Sequence, residues 1–138
     1  MLLSKNAIKE LIDSGKLVVK PTVDIKEVSI KIHISSIFGK KRDTLEEKSE
    51  FTLQPKEFTL ALTHESFVFP DNYAGLYDNH ISMSSRGVLT HLGSMLIEPG
   101  FSGQLVLEIF NTSDEPIKLK RGMRVGNLMI LQIKNTLA

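Results

Sequence analysis

Apolar and polar residues alternate with a period of two along most of this chain, and this alternation constrains the fold more than any other feature. Isoleucines alternate with polar residues over 30–34, and apolar residues recur at every second position over 58–62 and 105–109. Such alternation is typical of half-buried strands. Turn residues, such as the pair Pro99-Gly100, separate these segments. Many short strands between turns predict a mostly β protein, either a sandwich or a barrel.

The N-terminal segment is the one part of the chain with a helical pattern. Ser4 can cap the first turn through its hydroxyl, and Gly15 suits the left-handed residue that follows a last turn. Between them, apolar residues fall on one helical face: Ala7, Ile8, Leu11 and Ile12. Farther along, charges dominate residues 39–50, which predicts a solvated loop, and a polar segment runs from residue 76 to residue 85.

Length and composition limit the class of protein. The chain has 138 residues, 41% of them hydrophobic and 24% charged, which is typical of a single globular domain over residues 1–138. The formal net charge is only +1, so no nucleic-acid or membrane partner is expected. The absence of cysteine excludes disulfides, thiolate catalysis and cysteine-bound zinc. Because a long apolar run and a signal-peptide pattern are missing, we expect a soluble, cytoplasmic protein.

Most motifs that signal a reactive centre are missing. The four histidines lack the spacing of a helical metal site, and we interpret them as surface or hydrogen-bonded core residues: His33, His64, His80 and His91. No glycine-rich phosphate loop and no GxSxG nucleophile motif occurs. We therefore expect no metal or cofactor to be held by the protein itself.

One acidic residue lies in an unusual setting. Glu108 falls within an apolar strand segment, and the alternation places it on the same face as Val106 and Phe110. Desolvation between apolar neighbours would raise the pKa of this carboxyl group, which is how a general acid or base is tuned. The alternative is a solvent-exposed carboxylate on an edge strand, with no role in chemistry. The residue pattern alone leaves both interpretations open.

Several segments together resemble the dCTP deaminases of the dCTP deaminase/dUTPase superfamily. Residues 97–111, IEPGFSGQLVLEIFN, are similar to the family motif IDPGFxGxxxLExxN. Residues 117–128 resemble LRPGMRIGQL, and residues 51–58 resemble FxLxPGEF. Residues 3–18 correspond to the opening helix and strand of the family. The similarity extends over nearly the whole chain, in order and in spacing, so the chain is identified as a member of this superfamily.

The resemblance implies a dUTPase-like distorted β-barrel or jelly roll with one short N-terminal helix, assembled as a homotrimer with active sites between subunits. In the family, a glutamate activates a water that attacks C4 of cytosine without zinc, and Mg²⁺ accompanies the triphosphate. The resemblance gives Glu108 this catalytic role. It places Ser82, Glu98, Val106 and Leu107 at nucleotide-binding positions, where Glu98 replaces an aspartate near the sugar and is one methylene longer.

The phosphate-binding motif of the family, GRSSLARLG, is poorly kept. It corresponds to NHISMSSRG at residues 79–87, in which two residues, one of them Ser82, keep their places. His80 and Ser85 replace the two motif arginines, and Ile81 replaces the first serine. A neutral histidine lacks the fork of donors that an arginine offers to a phosphate, and isoleucine has no hydroxyl.

The chain departs from the family pattern in other segments as well. Lys31 replaces an acid in the segment that resembles TVDVRLG, and Gly93-Ser94 replaces a Thr-Ala pair. The sequence ends at Ala138, before the C-terminal tail with a Tyr and a Gln that folds over the nucleotide in the family. Because phosphate recognition depends on positioned cations and donors, these changes predict weak or absent triphosphate affinity.

The sequence leaves functions of two different classes open. The first is a degenerate homologue that acts as a trimeric binding, regulatory or structural protein, because the fold-building motifs are better kept than the ligand-binding ones. The second is an active dCTP deaminase, a hydrolase that uses Glu108 and binds its pyrimidine deoxynucleotide with Mg²⁺. Hydrolysis of dUTP is a weaker alternative, since Phe101 lacks the hydroxyl of the tyrosine found in that branch.

Overall fold

The structure, a computed structural model, describes residues 1–39 and 47–135, and part of the loop predicted over 39–50 lies outside these ranges. Two short helices occur in the described residues, α1 (Lys5–Asp13) and α2 (Ile81–Ser84). The strands in these ranges are β1 (Val18–Lys20), β2 (Ile30–Gly39), β3 (Glu50–Leu53), β4 (Phe58–Val68), β5 (Tyr73–Asn79), β6 (Val88–Leu89), β7 (Leu96–Ile97), β8 (Ser102–Asn111), β9 (Ile117–Lys120) and β10 (Arg124–Gln132). Among the described residues, no helix has the length and apolar character needed to cross a membrane.

Helix α1 forms where the apolar spacing predicts it. The Ser4 hydroxyl accepts a hydrogen bond from the backbone N–H of Ala7 at 3.3 Å, which caps the first turn. Ile8 and Leu11 are buried and belong to the hydrophobic core. Gly15 follows the helix with a φ of 79°, a left-handed conformation that glycine adopts without strain. The predicted N-terminal helix is therefore confirmed.

Eight strands form one main sheet, in which β6, β8, β4, β2, β10, β5 and β7 lie side by side in that order and β1 pairs with β4. Strands β3 and β9 form a separate two-stranded sheet. All of these pairings are antiparallel. The main sheet curls into a half-barrel, so the mostly β architecture predicted from the alternation is confirmed.

The alternation along the strands separates core from surface. Ile30, Ile32 and Ile34 of β2 are fully buried, whereas the residues between them are only half-buried. On β8 the odd-numbered residues from 105 to 109 are buried, but Val106 is 62% exposed and Glu108 is half-buried. One face of β8 therefore packs into the core, and the other face is directed outward.

Strand β5 and helix α2 occupy a segment in which the sequence shows mainly polar character and no helix was expected. Strand β5 pairs with β10 along its whole length and with β7 at its centre. Gly75 is closely packed in β5, because a Cβ there would lie 3.0 Å from the Phe69 ring and 3.1 Å from Ile97 and Leu128, so these side chains would have to shift. This strand depends on partners that are distant in sequence, and local alternation does not reveal such partners.

A buried carboxylate is held between β2 and β4. The side chain of Glu65 is only 3% exposed. Its Oε1 accepts a hydrogen bond from the backbone N–H of His33 at 2.9 Å, and its Oε2 lies 2.7 Å from Nδ1 of the same histidine. An unpaired buried carboxylate would be costly, so these two donors are needed to keep Glu65 in the interior.

Replacing His33 with Phe is expected to destabilise the protein by about 2 kcal/mol, because the ring donor is lost while the Glu65 carboxylate stays buried. Chemical denaturation measures this change. The control is Lys118→Ala, which removes a solvent-exposed pair with Glu50 and should cost no more than about 0.5 kcal/mol. Equal losses for the two variants would show that the buried pair has no special importance.

Helix α2 begins at a histidine cap. Nδ1 of His80 accepts a hydrogen bond from the backbone N–H of Ser82 at 3.3 Å and lies 2.6 Å from the Ser82 hydroxyl. A backbone N–H can only donate, so Nδ1 must be unprotonated in this cap. Burial lowers the pKa of His80, and the nearby cations Arg124 and Lys26 lower it further. The cap therefore uses a neutral imidazole ring.

Stability is expected to fall as the pH drops below 6.5, the ordinary pKa of histidine. Below that pH the unfolded chain takes up a proton at His80, whereas the folded protein takes it up only at lower pH. Thermal unfolding from about pH 8 to about pH 5 measures the effect. His80→Asn keeps an acceptor for the cap but does not titrate, so its stability should depend less on pH. His64→Asn, on the exposed side of β4, is the control. An unchanged pH dependence in His80→Asn would contradict the prediction.

Candidate functional site

A cavity of about 230 Å³, here called the apolar cavity, opens between β5, the segment that precedes β7 and the first half of β8. Its lining residues are Tyr77, Thr90, His91, Ser94, Ile97, Phe101, Gln104, Leu105, Val106 and Leu107. Apolar side chains dominate and a few polar groups converge on the space, which is the usual composition of a small-molecule site. Sites for drug-sized ligands measure roughly 300–1,000 Å³, so the apolar cavity suits a single ring system.

A buried tyrosine forms one wall of the apolar cavity. The Tyr77 hydroxyl lies 2.7 Å from the Thr90 hydroxyl, and its ring packs edge-on against His91 with the ring centres 5.8 Å apart. Burial raises the pKa of Tyr77, so the phenol stays protonated and can donate to Thr90. A side chain at Gly126 would collide with the Tyr77 ring, so glycine is required at that position of β10.

The side-chain amide of Asn79 connects this wall of the apolar cavity to helix α2. The Asn79 Nδ2 donates to the Ser84 hydroxyl at 2.6 Å and to the backbone carbonyl of Val88 at 2.9 Å. Its Oδ1 accepts a hydrogen bond from the backbone N–H of Thr90 at 2.9 Å, and the Thr90 hydroxyl is also in contact with it. Asn79 therefore ties α2 to the strand that borders the apolar cavity.

A second cavity, of about 490 Å³ and more open, includes two residues of α2 in its lining and is here called the basic cavity. Its lining residues are Lys26, Ser29, Asp78, Asn79, His80, Ile81, Ser84, Arg124 and Asn127. Nη2 of Arg124 donates to Oδ1 of Asn127 at 2.5 Å, whereas its Nε is buried without a hydrogen-bond partner among the described residues. A buried donor without a hydrogen-bond partner is rare in proteins.

The structure brings only some of the predicted site residues together. Val106 and Leu107 both line the apolar cavity. Glu108 follows them on β8 but does not line the cavity, and within the described part of the chain its carboxylate makes no hydrogen bond or ion pair. Glu98 is exposed in the turn between β7 and β8. Ser82 is exposed on α2, between two lining residues of the basic cavity.

Sequence reasoning missed the two cations of the basic cavity. Arg124 lies in the segment that resembles LRPGMRIGQL, which indicates family membership and not a position in space. Lys26 lies in a loop without any motif, in a turn closed by its backbone N–H to the Ser29 carbonyl at 2.7 Å. The pairing of β10 with β2 brings the two together, and no local signal in the sequence marks this contact.

Metal ligands are not gathered at either cavity. Among residues 1–39 and 47–135, no group of three or more His, Asp or Glu side chains is placed to hold a metal ion. The described residues therefore offer no metal centre of their own.

The chain is similar to known proteins over nearly its whole length. A family profile described as dCTP deaminase-like matches residues 2–133. The "dCTP deaminase, dUMP-forming" of Mycobacterium bovis BCG is 34% identical in an alignment 154 positions long, which includes 96% of this chain and 81% of that relative. A protein of the same description from Mycobacterium sp. strain KMS is 33% identical with the same coverage.

Solved structures share the fold at lower sequence identity. The 2′-deoxycytidine 5′-triphosphate deaminase of Agrobacterium tumefaciens superposes with a TM-score of 0.77 at 19% identity over 94% of this chain, which spans about half, 48%, of that protein. The EIAV dUTPase superposes with a TM-score of 0.66 at 18% identity, over 88% of this chain and 92% of its own. The predicted dUTPase-like fold is confirmed, with α2 as a second short helix beside the expected one. The profile match and the identity to the mycobacterial proteins show that this chain belongs to the dCTP deaminase-like family.

Proposed function

We propose that this protein is a trimeric, cytoplasmic binding protein of pyrimidine deoxynucleotide metabolism in which the deaminase-type phosphate motif has degenerated. Membership of the dCTP deaminase-like family supports a pyrimidine deoxynucleotide as ligand, and the size of the apolar cavity supports a single pyrimidine ring. The role of such a protein is regulatory or structural rather than catalytic. The net charge of +1 gives no support to a nucleic-acid or membrane partner.

The proposal rests on the hydrogen bonding and exposure of the side chains in helix α2. The Ser82 hydroxyl is engaged by His80 at 2.6 Å, and the Ser84 hydroxyl is engaged by Asn79 at 2.6 Å. Ile81, which is 71% exposed, presents no polar group. Each charge-assisted hydrogen bond that a phosphate loses here removes about 1.5–3 kcal/mol of binding free energy. The hydroxyl groups of the segment that corresponds to the phosphate motif therefore already have hydrogen-bond partners within the same chain.

A nucleotide panel tests the proposal. Isothermal titration with dCTP, dUTP and dTTP in Mg²⁺ should give dissociation constants no tighter than about 0.1 mM, and high concentrations should still raise the melting temperature. Ser94→Phe fills the apolar cavity and should abolish the rise. Ser102→Phe, exposed on β8 outside that cavity, is the matched control. A low-micromolar constant for any of the three nucleotides would overturn the degenerate-site proposal.

An active dCTP deaminase is the second candidate function, and the position of Glu108 favours it. This half-buried carboxylate directly follows two residues that line the apolar cavity. In this alternative, Glu108 takes a proton from the water that attacks C4 of cytosine and passes a proton to the amino group, which leaves as ammonia while the C4 carbonyl forms. Mg²⁺ would arrive with the triphosphate, since the described residues gather no metal ligands.

Any deamination of dCTP by this protein is expected to depend on Glu108. Glu108→Gln keeps the shape of the side chain but removes the base, and it should reduce ammonia release by about 10²–10⁴-fold. A coupled ammonia assay measures the rate. Glu115→Gln, exposed in the turn after β8, is the control and should retain the wild-type rate. Undiminished activity in Glu108→Gln would show that another group carries the chemistry.

A set of exposed apolar side chains supports the trimer. Leu92, Leu96 and Val106 are 47%, 56% and 62% exposed, and Leu89 lies on β6 beside β8. Soluble monomers rarely expose a large contiguous apolar patch unless another molecule covers it. A second copy of the chain that covers residues 89–106 would also cover the rim of the apolar cavity, which fits active sites between subunits.

Light scattering at micromolar concentration should give about three times the 15.4 kDa mass of one chain. Val106→Asp places a charge in the proposed interface and should shift the mass toward that of one chain. Val68→Asp changes a residue of similar type that is 45% exposed on β4, and it should leave the trimer intact. A wild-type mass of 15.4 kDa would contradict the trimer.

A further inference from the structure

We infer that Asn79 and His80 form an intramolecular clamp that engages the two hydroxyl groups of α2, those of Ser82 and Ser84, and closes this segment to ligands. A clamp of this kind is an autoinhibitory contact, since a ligand can use the two hydroxyls only after their present hydrogen bonds are broken. The inference concerns the regulation of the site in the proposed function, and its consequence for nucleotide binding rests on that function.

Asn79 holds the C-terminal end of α2 against a buried support. Its Nδ2 donates to the Ser84 hydroxyl at 2.6 Å and to the backbone carbonyl of Val88 at 2.9 Å. Its Oδ1 accepts a hydrogen bond from the backbone N–H of Thr90 at 2.9 Å and also contacts the Thr90 hydroxyl. Val88 and Thr90 are fully buried. The Asn79 amide is therefore fixed in one orientation, in which it faces the exposed Ser84.

His80 engages the first turn of α2. Its Nδ1 lies 2.6 Å from the Ser82 hydroxyl and accepts a hydrogen bond from the backbone N–H of Ser82 at 3.3 Å. Because an accepting Nδ1 carries no proton, the Ser82 hydroxyl must be the donor in the shorter contact. The backbone N–H of His80 donates to the Val125 carbonyl at 3.0 Å, which anchors His80 to β10. The hydroxyl hydrogen of Ser82 is therefore directed to the imidazole ring and is not available to a ligand.

Both clamp residues are departures from the motif GRSSLARLG. Asn79 stands at the position of its first glycine, and His80 stands at the position of its first arginine. Glycine has no side chain that could reach Ser84. Arginine carries donors only, so it cannot accept a hydrogen bond from the hydroxyl or the backbone N–H of Ser82. The residues of the family motif could therefore form neither half of the clamp.

The two hydrogen bonds to the hydroxyls of α2 lie where they can be broken. Ser82 and Ser84 are exposed, so water can take the place of each partner. A hydrogen bond between neutral groups changes an equilibrium constant about threefold to tenfold. A ligand that requires the open form binds with an affinity reduced by the fraction of molecules in that form. The clamp therefore lowers the affinity of a ligand that uses the α2 hydroxyls without changing the contacts that such a ligand makes.

Amide hydrogen exchange measured by NMR tests the clamp without any ligand. The reporters are the amides of Met83 and Arg86, which donate to backbone carbonyls within the segment at 2.9 and 3.1 Å. Ser84→Ala removes the acceptor for Asn79 and should raise both exchange rates about threefold to tenfold, although alanine favours a helix more than serine does. Ser85→Ala is the matched control and should not raise them, because the hydroxyl of this exposed residue makes no hydrogen bond in the described part of the chain.

Titration calorimetry with dCTP and Mg²⁺ measures the effect of the clamp on binding. His80→Ala removes the acceptor that engages Ser82, whereas His80→Asn keeps an acceptor at the same place. We expect dCTP to bind about threefold to tenfold more tightly to His80→Ala than to His80→Asn. Both variants lack the imidazole ring, so the difference between them reports the engagement of Ser82. The exchange measurement on Ser84→Ala does not depend on the stability of His80→Ala.

Two outcomes would overturn the inference: exchange rates in Ser84→Ala that do not exceed those in Ser85→Ala, or dCTP that binds His80→Ala no more tightly than it binds His80→Asn. The exchange measurement separates the inference from the proposed function, since it needs no nucleotide. If exchange responds as expected but no variant binds any nucleotide, the proposed function is wrong and the clamp stands. If nucleotides bind the wild type and exchange does not respond, the clamp is wrong and the proposed function stands.

Discussion

The pairing of β10 with both β2 and β5 is the constraint on which the rest of the structure depends. β10 is the last strand of the described chain, yet it lies between a strand from the first third and one from the middle. Its register places Asn127 opposite Lys31 on one side and opposite Asp78 on the other. The start of β10 therefore brings Arg124 to the corner where the loop before β2 meets the end of β5. A slip of one residue would turn these side chains to the opposite face and remove the basic cavity.

The two cavities are built on one hydrogen-bonded wall. The buried Thr90 hydroxyl contacts the Tyr77 hydroxyl, which borders the apolar cavity, and the Asn79 amide, which borders the basic one. Asn79 then reaches the Ser84 hydroxyl on α2. A buried polar network that is fully satisfied is rigid and specifies one arrangement. The position of α2 is thus set from the side of the apolar cavity, and both cavities share the same support.

The polar groups around α2 fall into two classes, and the difference bears on function. Those of Ser82, Ser84 and His80 find partners within the segment itself, which leaves little for a triphosphate to bind. The guanidinium of Arg124 is the opposite case, since its buried Nε has no partner among the described residues. The lack of free donors is therefore a property of the motif segment and does not extend to Arg124.

The sequence by itself determined the class of fold, helix α1 and the family, because alternation, caps and the motif at residues 97–111 are local patterns that can be recognised without knowing their partners. It also singled out Glu108, whose role is still a prediction. Only the tertiary structure decided that β5 is a strand, because Gly75 and its neighbours are stabilised by strands distant in sequence. The same holds for the basic cavity, where Lys26 and Arg124 lie almost a hundred positions apart. Their proximity follows from strand register, a long-range property that no local pattern encodes.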